Sequence, residues 1–249
     1  MVRRETLNLL YQTTRAAFLA QEKNSALGML WHLLNPLAMT AVLYVVFSNI
    51  EQFRSKDHFA LFILAGLIHF NFFTNAVTRA AAGLLASRHF VLNTTVPTQL
   101  IVFRQVCLEG FTFVIEVILL LLLSVFFGSG LGAAALYYPL VFAGLFMLTF
   151  GTALMMCSLV VFLTDLTYIW GVVTRMLFFL TPIFSSPDML DHPLVNRVIA
   201  LNPLAQIVQM TLNCVLYRTP IAATEAVSGI VFPAVVLLLG WQMFRVFKR

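Results

Sequence analysis

Glu109 and Glu116 stand seven residues apart inside one long apolar stretch, and Arg175 stands alone inside another. Seven residues make about two helical turns, so both carboxylates fall on one face of a helix. A charge at the centre of a bilayer costs about 2.5–3.5 kcal/mol on insertion scales, so each of these side chains must face protein or water. Such carboxylates can relay protons or contact a passing substrate. Alternatively, Arg175 pairs with Glu109 or Glu116 and fixes the packing of two helices. The spacing leaves both uses open.

Other chemistries find little footing. His32, His58, His69, His89 and His192 are scattered, without the spacing of a metal site. His69, within an apolar stretch, reads as a packed polar residue. No Gly-x-Ser-x-Gly elbow occurs. Cys107, Cys157 and Cys214 sit in apolar surroundings with neither pairing nor ligand spacing, and read as small buried hydrophobes. Gly-x-x-x-x-Gly-Lys-Ser/Thr is absent, and lysine occurs only at 23, 56 and 248. The chain therefore has no usual cradle for ATP phosphates. No catalytic residue, metal or cofactor is expected in it, and energy must come from a partner or a gradient.

The elements that position these residues are membrane spans. Hydrophobic residues make up 61% of the chain and charged residues 10%, against about 25% charged in soluble domains. The fold class is an all-α integral membrane protein, expected as a single transmembrane domain over 1–249. Within it, 1–24 is a cytoplasmic interfacial helix, 29–246 a six-span bundle and 185–220 an external or re-entrant segment. In the first segment Leu7, Leu10, Tyr11, Thr14 and Phe18 share a helical face, with Leu9 and Leu19 off it. The start lacks the compact apolar run and small-residue cleavage site of a signal peptide.

The six expected spans are Met29 to Ile50, Phe59 to about Gly83, Thr98 to Phe127, Leu136 to Leu163, Leu166 to about Phe184, and Ile221 to Phe244. The first has 22 residues, which at about 1.5 Å per residue crosses a hydrocarbon core of roughly 30 Å. Between the fifth and sixth, Val195 to Leu201 and Leu204 to Leu216 read as two short helices split by Asn202-Pro203. Neither is long enough to span, so each is re-entrant or external. With the N-terminus inside, ten Lys or Arg, Arg79 among them, fall on the cytoplasmic side and span ends and four (Arg54, Lys56, Arg197 and Arg218) outside. That asymmetry places both termini in the cytoplasm.

The stretch from Asn24 to Pro36 suits a change of direction at a bilayer surface. Asn24 and Ser25 can cap a helix, and Trp31 prefers the headgroup level. The spacing of Ser25, Leu27, Gly28, Trp31 and Pro36 resembles the start of the first span in ABC transporter permeases that export polysaccharides. Those permeases export O antigen (the lipopolysaccharide side chain), capsule or teichoic acid. Phe178 to Ile183, ending in Thr-Pro-Ile, is similar to that family's fifth span, and Asn202-Pro203-Leu204 to its Asn-Pro. Phe90 to Pro97 resembles its internal loop. Thr164-Asp165-Leu166 opens the fifth span with Thr164 where the family commonly has a basic residue. The likeness covers residues 20 to 215.

The resemblance implies a transporter permease rather than an enzyme. Two copies of this chain and two copies of a separate ATPase, which binds ATP and Mg, would sit in a bacterial inner (plasma) membrane. They would move a lipid-linked polysaccharide from the cytoplasmic side; membrane lipids are further partners and nucleic acid is not. Arg88, His89, Phe90, Val91, Leu92 and Pro97 would couple to the ATPase. Arg15, Lys23 and Arg88 would receive the lipid diphosphate, since basic side chains suit phosphate. Tyr44, Phe47, Phe70, Phe73, Tyr168 and Trp170 would line a glycan path, because the C–H faces of sugars stack on aromatic rings; the alternative for any one of them is a core or lipid-facing ring. The alternatives are a related permease for a drug or another lipid, and a membrane-embedded lipid-modifying enzyme. The enzyme needs clustered acidic or His residues at one interface, which the sequence lacks.

Overall fold

The computed structural model describes residues 30–50, 58–87, 97–128, 132–183, 197, 199 and 201–247. The described residues form seven α-helices: α1 (Leu30–Phe47), α2 (Phe59–Ala86), α3 (Thr98–Phe126), α4 (Tyr138–Val160), α5 (Leu166–Leu180), α6 (Pro203–Val215) and α7 (Ala223–Phe247). A 3-10 turn, Ala133–Tyr137, leads into α4. Among the described residues five helices are long and apolar enough to cross a membrane: α1, α2, α3, the 3-10 turn with α4, and α7. The chain is a multi-pass membrane protein.

Of the six spans expected, α5 is the short one. It has 15 residues, against the roughly 20 that a span needs. Its end has a local cause. Thr181 precedes Pro182 and takes φ −104° and ψ 136°, because proline disfavours the helical conformation in the residue before it. The Thr181 hydroxyl donates to the Leu177 carbonyl at 2.7 Å, which satisfies a group that the helix end leaves free.

The second short helix expected from the sequence is α6. Asn202 caps it, its Oδ1 accepting from the Leu204 N–H at 3.0 Å, and Pro203 follows where a missing N–H costs nothing. Asn202 Nδ2 donates to the Leu180 carbonyl at 3.1 Å. One side chain thus joins the start of α6 to the end of α5. Residues of the first short helix are described only at 197, 199 and 201, all helical. The interfacial helix expected over 1–24 lies outside the described residues.

α2 is the axis of the bundle, buried along most of its length and packed on α1, α3, α4, α5 and α6. Its His69 is fully buried. Nδ1 donates to the Ala65 carbonyl at 2.7 Å, and Nε2 faces the hydroxyls of Tyr138 at 3.2 Å and Thr211 at 2.9 Å. The imidazole therefore ties α2 to α4 and α6, a packed polar residue as the sequence indicated. Phenylalanine rings fill the gaps between α2, α3 and α4. Phe113 stacks on Phe142 at 5.7 Å and meets Phe72 at 4.8 Å, within the range at which aromatic pairs attract.

α4 and α7 cross in close contact and run in the same direction. A Cβ added at Gly151 would lie 2.6 Å from Leu237 Cα, and one at Gly240 would overlap the Gly151 carbonyl. Lipid offers no hydrophobic drive for helix association, so close backbone contact of this kind replaces it.

Candidate functional site

α1, α2 and α3 enclose a polar cavity of about 230 Å3 within the apolar bundle. α1 supplies Trp31, His32 and Asn35 from its first two turns; α2 supplies Asn71, Asn75 and Arg79; α3 supplies Glu109, Thr112 and Glu116. The helical period places each set. Asn71, Asn75 and Arg79 recur every four residues, and Glu109, Thr112 and Glu116 at three and seven, so each set lies along one face. Glu109 and Glu116 lie about 16 and 27 Å along α3 from Thr98 at 1.5 Å per residue.

The two carboxylates share the cavity but not their partners. Glu109 Oε1 lies 3.2 Å from Arg79 Nε. Glu116 is 7% exposed, lines the cavity, and has neither hydrogen bond nor ion pair among the described residues. The pairing expected of Arg175 is not formed. α5 packs on α2 and α4, and Arg175 points outward from it, exposed, while Arg79 takes Glu109. Arg79 appears in the sequence as one of the basic residues at a cytoplasmic span end. Its four-residue spacing from Asn75 and Asn71 is the signal that puts it instead on the polar face of α2.

Where α2 reaches the surface, it is polar or small. Its exposed residues are Asn75, Thr78, Ala82 and Ala86, and they form one stripe. Trp170 of α5 flanks the stripe, its Nε1 donating to Thr78 Oγ1 at 3.0 Å, and Asn35 of α1, which shares the cavity lining with Asn75, is also exposed.

The aromatic residues expected along a path divide. Tyr44 is 44% and Tyr168 79% exposed, while Phe47 and Trp170 are half-buried. Phe70 and Phe73 are core residues, a correction to the path: Phe70 packs on Phe178 at 5.4 Å and Phe73 on Trp170 at 6.0 Å. They face inward because α5 covers that side of α2. Of the residues expected to couple to an ATPase, Pro97 precedes α3 in extended conformation. Arg88, His89, Phe90, Val91 and Leu92 lie outside the described residues, as do Arg15 and Lys23.

A family model described as ABC-2 type transporter matches residues 8–216. A Klebsiella pneumoniae protein named O-antigen export system permease protein RfbA is 24% identical over 243 residues, 97% of this chain and 92% of the relative. A Myxococcus xanthus protein of the same name is also 24% identical over 243 residues, 96% and 91% of the two chains.

Proposed function

The chain belongs to the ABC-2 type transporter family, and from that membership we infer that it is the membrane subunit of an exporter for a lipid-linked polysaccharide. It is a transporter subunit rather than an enzyme and works with an ATPase partner. The substrate class is carried over from relatives named for O-antigen export that align along nearly the whole chain. Two copies of the chain, as one transmembrane domain each, pack around a central path in the bacterial inner membrane, with both termini in the cytoplasm. Two ATPase copies bind ATP and Mg on that side.

One structural observation supports the path. The surface stripe of α2 carries Asn75 and Thr78, and Asn35 of α1, which lines the same cavity as Asn75, is exposed as well. Polar and charged groups turned to lipid are expensive, so this face is met by water or by a second copy. Tyr44 and Tyr168, exposed on α1 and α5, give sugar rings apolar surfaces to slide along while their hydroxyls stay hydrated. Arg15, Lys23 and Arg88 receive the diphosphate at the cytoplasmic interface. Coupling passes through the loop from Ala86 to Pro97. There Phe90, Val91 and Leu92 are apolar residues in a polar setting, suited to a groove on the ATPase, with Arg88 and His89 at its rim.

A complementation experiment tests this reading. Cells lacking the chain should retain the lipid-linked polysaccharide on the cytoplasmic side, and the chain with its ATPase should restore export. Phe90→Asp combined with Leu92→Asp should lower ATPase co-purification and abolish that restoration at a normal membrane level of the chain. Surface polysaccharide that is unchanged without the chain would reject the function.

A further inference from the structure

We propose that the cavity between α1, α2 and α3 is a subsite for one sugar residue of the exported glycan, with Glu116 accepting hydrogen bonds from its hydroxyls. The proposal rests on the exporter reading above and adds a place where the glycan is held.

Glu116 is the point of departure. It is more than nine-tenths buried, it faces the cavity, and no described residue bonds to it. A buried polar group without a partner costs about 1–3 kcal/mol, and more if charged. The neighbouring Glu109 shows the alternative, since Arg79 answers it at 3.2 Å. Glu116 has its acceptor oxygens free for a ligand.

The lining then selects the ligand class. The one guanidinium of the lining, Arg79, is already held by Glu109, so a phosphate would find no free guanidinium or ammonium there. That separates this cavity from the site of the lipid diphosphate. Among the described residues no three His, Cys, Asp or Glu side chains gather as a metal would need. What remains matches a polyol. Asparagine amides both donate and accept, the Thr112 hydroxyl does the same, and carboxylates accept. A sugar ring offers donors and acceptors on every carbon around its edge. Trp31, 55% exposed at the cavity, can cover one apolar C–H face of such a ring.

Size and access agree. Pockets for drug-sized ligands run from about 300 to 1,000 Å3, and this one is about 230 Å3, room for a single ring rather than a chain. Two of its exposed members, Asn75 and Asn35, lie on the polar stripe assigned to the path and at the cavity beside it. A glycan passing along that stripe meets the mouth of the cavity without leaving water for lipid.

The test uses the complete complex of chain and ATPase in lipid nanodiscs. A photoreactive residue replaces Asn35 at the cavity in one preparation and Tyr168 on the outer face of α5 in another. The probes are the lipid-linked polysaccharide and the lipid diphosphate without glycan. The cavity position should cross-link the glycan and not the bare carrier. Glu116→Ala should cut that cross-link at least tenfold, and should raise about tenfold the glycan concentration that half-maximally stimulates ATP hydrolysis. Glu116→Gln, which fits the same space and keeps one acceptor, guards against a folding defect and should give an intermediate loss. Cross-linking at Tyr168 but not at Asn35, with half-saturation unchanged in Glu116→Ala, would make the cavity a water-filled gap and leave the exporter reading standing. No glycan cross-link at either position and no stimulation of hydrolysis would overturn both.

Discussion

Arg79 of α2 and Glu109 of α3 meet with 3.2 Å between Nε and Oε1. This ion pair joins two neighbouring spans beside a second carboxylate, Glu116, that has no counter-charge of its own. Removing one member leaves the other without compensation in an apolar setting.

Arg79→Met or Glu109→Gln should each lower the thermal stability of the purified chain, and the double variant should recover part of the loss. The effect should stay below the roughly 3–5 kcal/mol of a fully buried pair, because the Arg79 side chain is 41% exposed. Arg175→Met should leave melting unchanged, since Arg175 is exposed on α5. A loss with Arg175→Met equal to that of Arg79→Met would return the pairing to Arg175.

The α4–α7 crossing leaves no room for side chains at Gly151 or Gly240. Gly151→Leu or Gly240→Val should cost about 1–3 kcal/mol or more through overpacking, seen as a lower melting temperature and lower monodisperse yield. Gly171→Ala is the contrast, because nothing lies within 4 Å of an added Cβ there. It should be neutral or slightly stabilising. Equal losses at Gly171 and Gly151 would mean that the crossing is not the cause.

Much of this architecture is legible in the sequence. Apolar runs of span length placed α1 to α4 and α7, and the Asn-Pro pair placed the start of α6 within a residue. The end of α5 was less legible, because the apolar run continues past the point where Pro182 stops the helix. The two carboxylates were visible as neighbours on one face, but the partner was not. Arg79 and Arg175 are equally plausible in one dimension, and only the packing of α3 against α2 rather than α5 decides between them. The aromatic path failed at Phe70 and Phe73 for a related reason. Residue type says that a ring is apolar, but not whether a neighbouring helix covers it.

His69 holds α2 to α4 and α6 through one ring. Tyr138→Phe removes one of its bonds and should cost about 0.5–1.5 kcal/mol. His69→Ala removes the ring and leaves a cavity, and should cost roughly 2–4 kcal/mol. The double variant should cost less than the sum, because both changes remove one shared bond. Strict additivity in unfolding measurements would contradict the contact.

Asn202 serves two helices with one side chain. Asn202→Ala should lose about 1 kcal/mol from the cap alone, and more from the bond to Leu180. Asn202→Asp keeps the acceptor for the Leu204 N–H and loses the donor to Leu180, so it should fall between wild type and Asn202→Ala. Identical melting of the Asp and Ala variants would remove the cap from this account.

The most direct measurement is translocation in sealed proteoliposomes holding this chain and its ATPase. Lipid-linked polysaccharide is placed on the ATPase side, and an impermeant lectin reports its arrival on the other. The expected result is arrival that requires ATP hydrolysis, the ATPase and this chain together. Arrival without the ATPase, or chemical alteration of the lipid by this chain alone, would contradict the account.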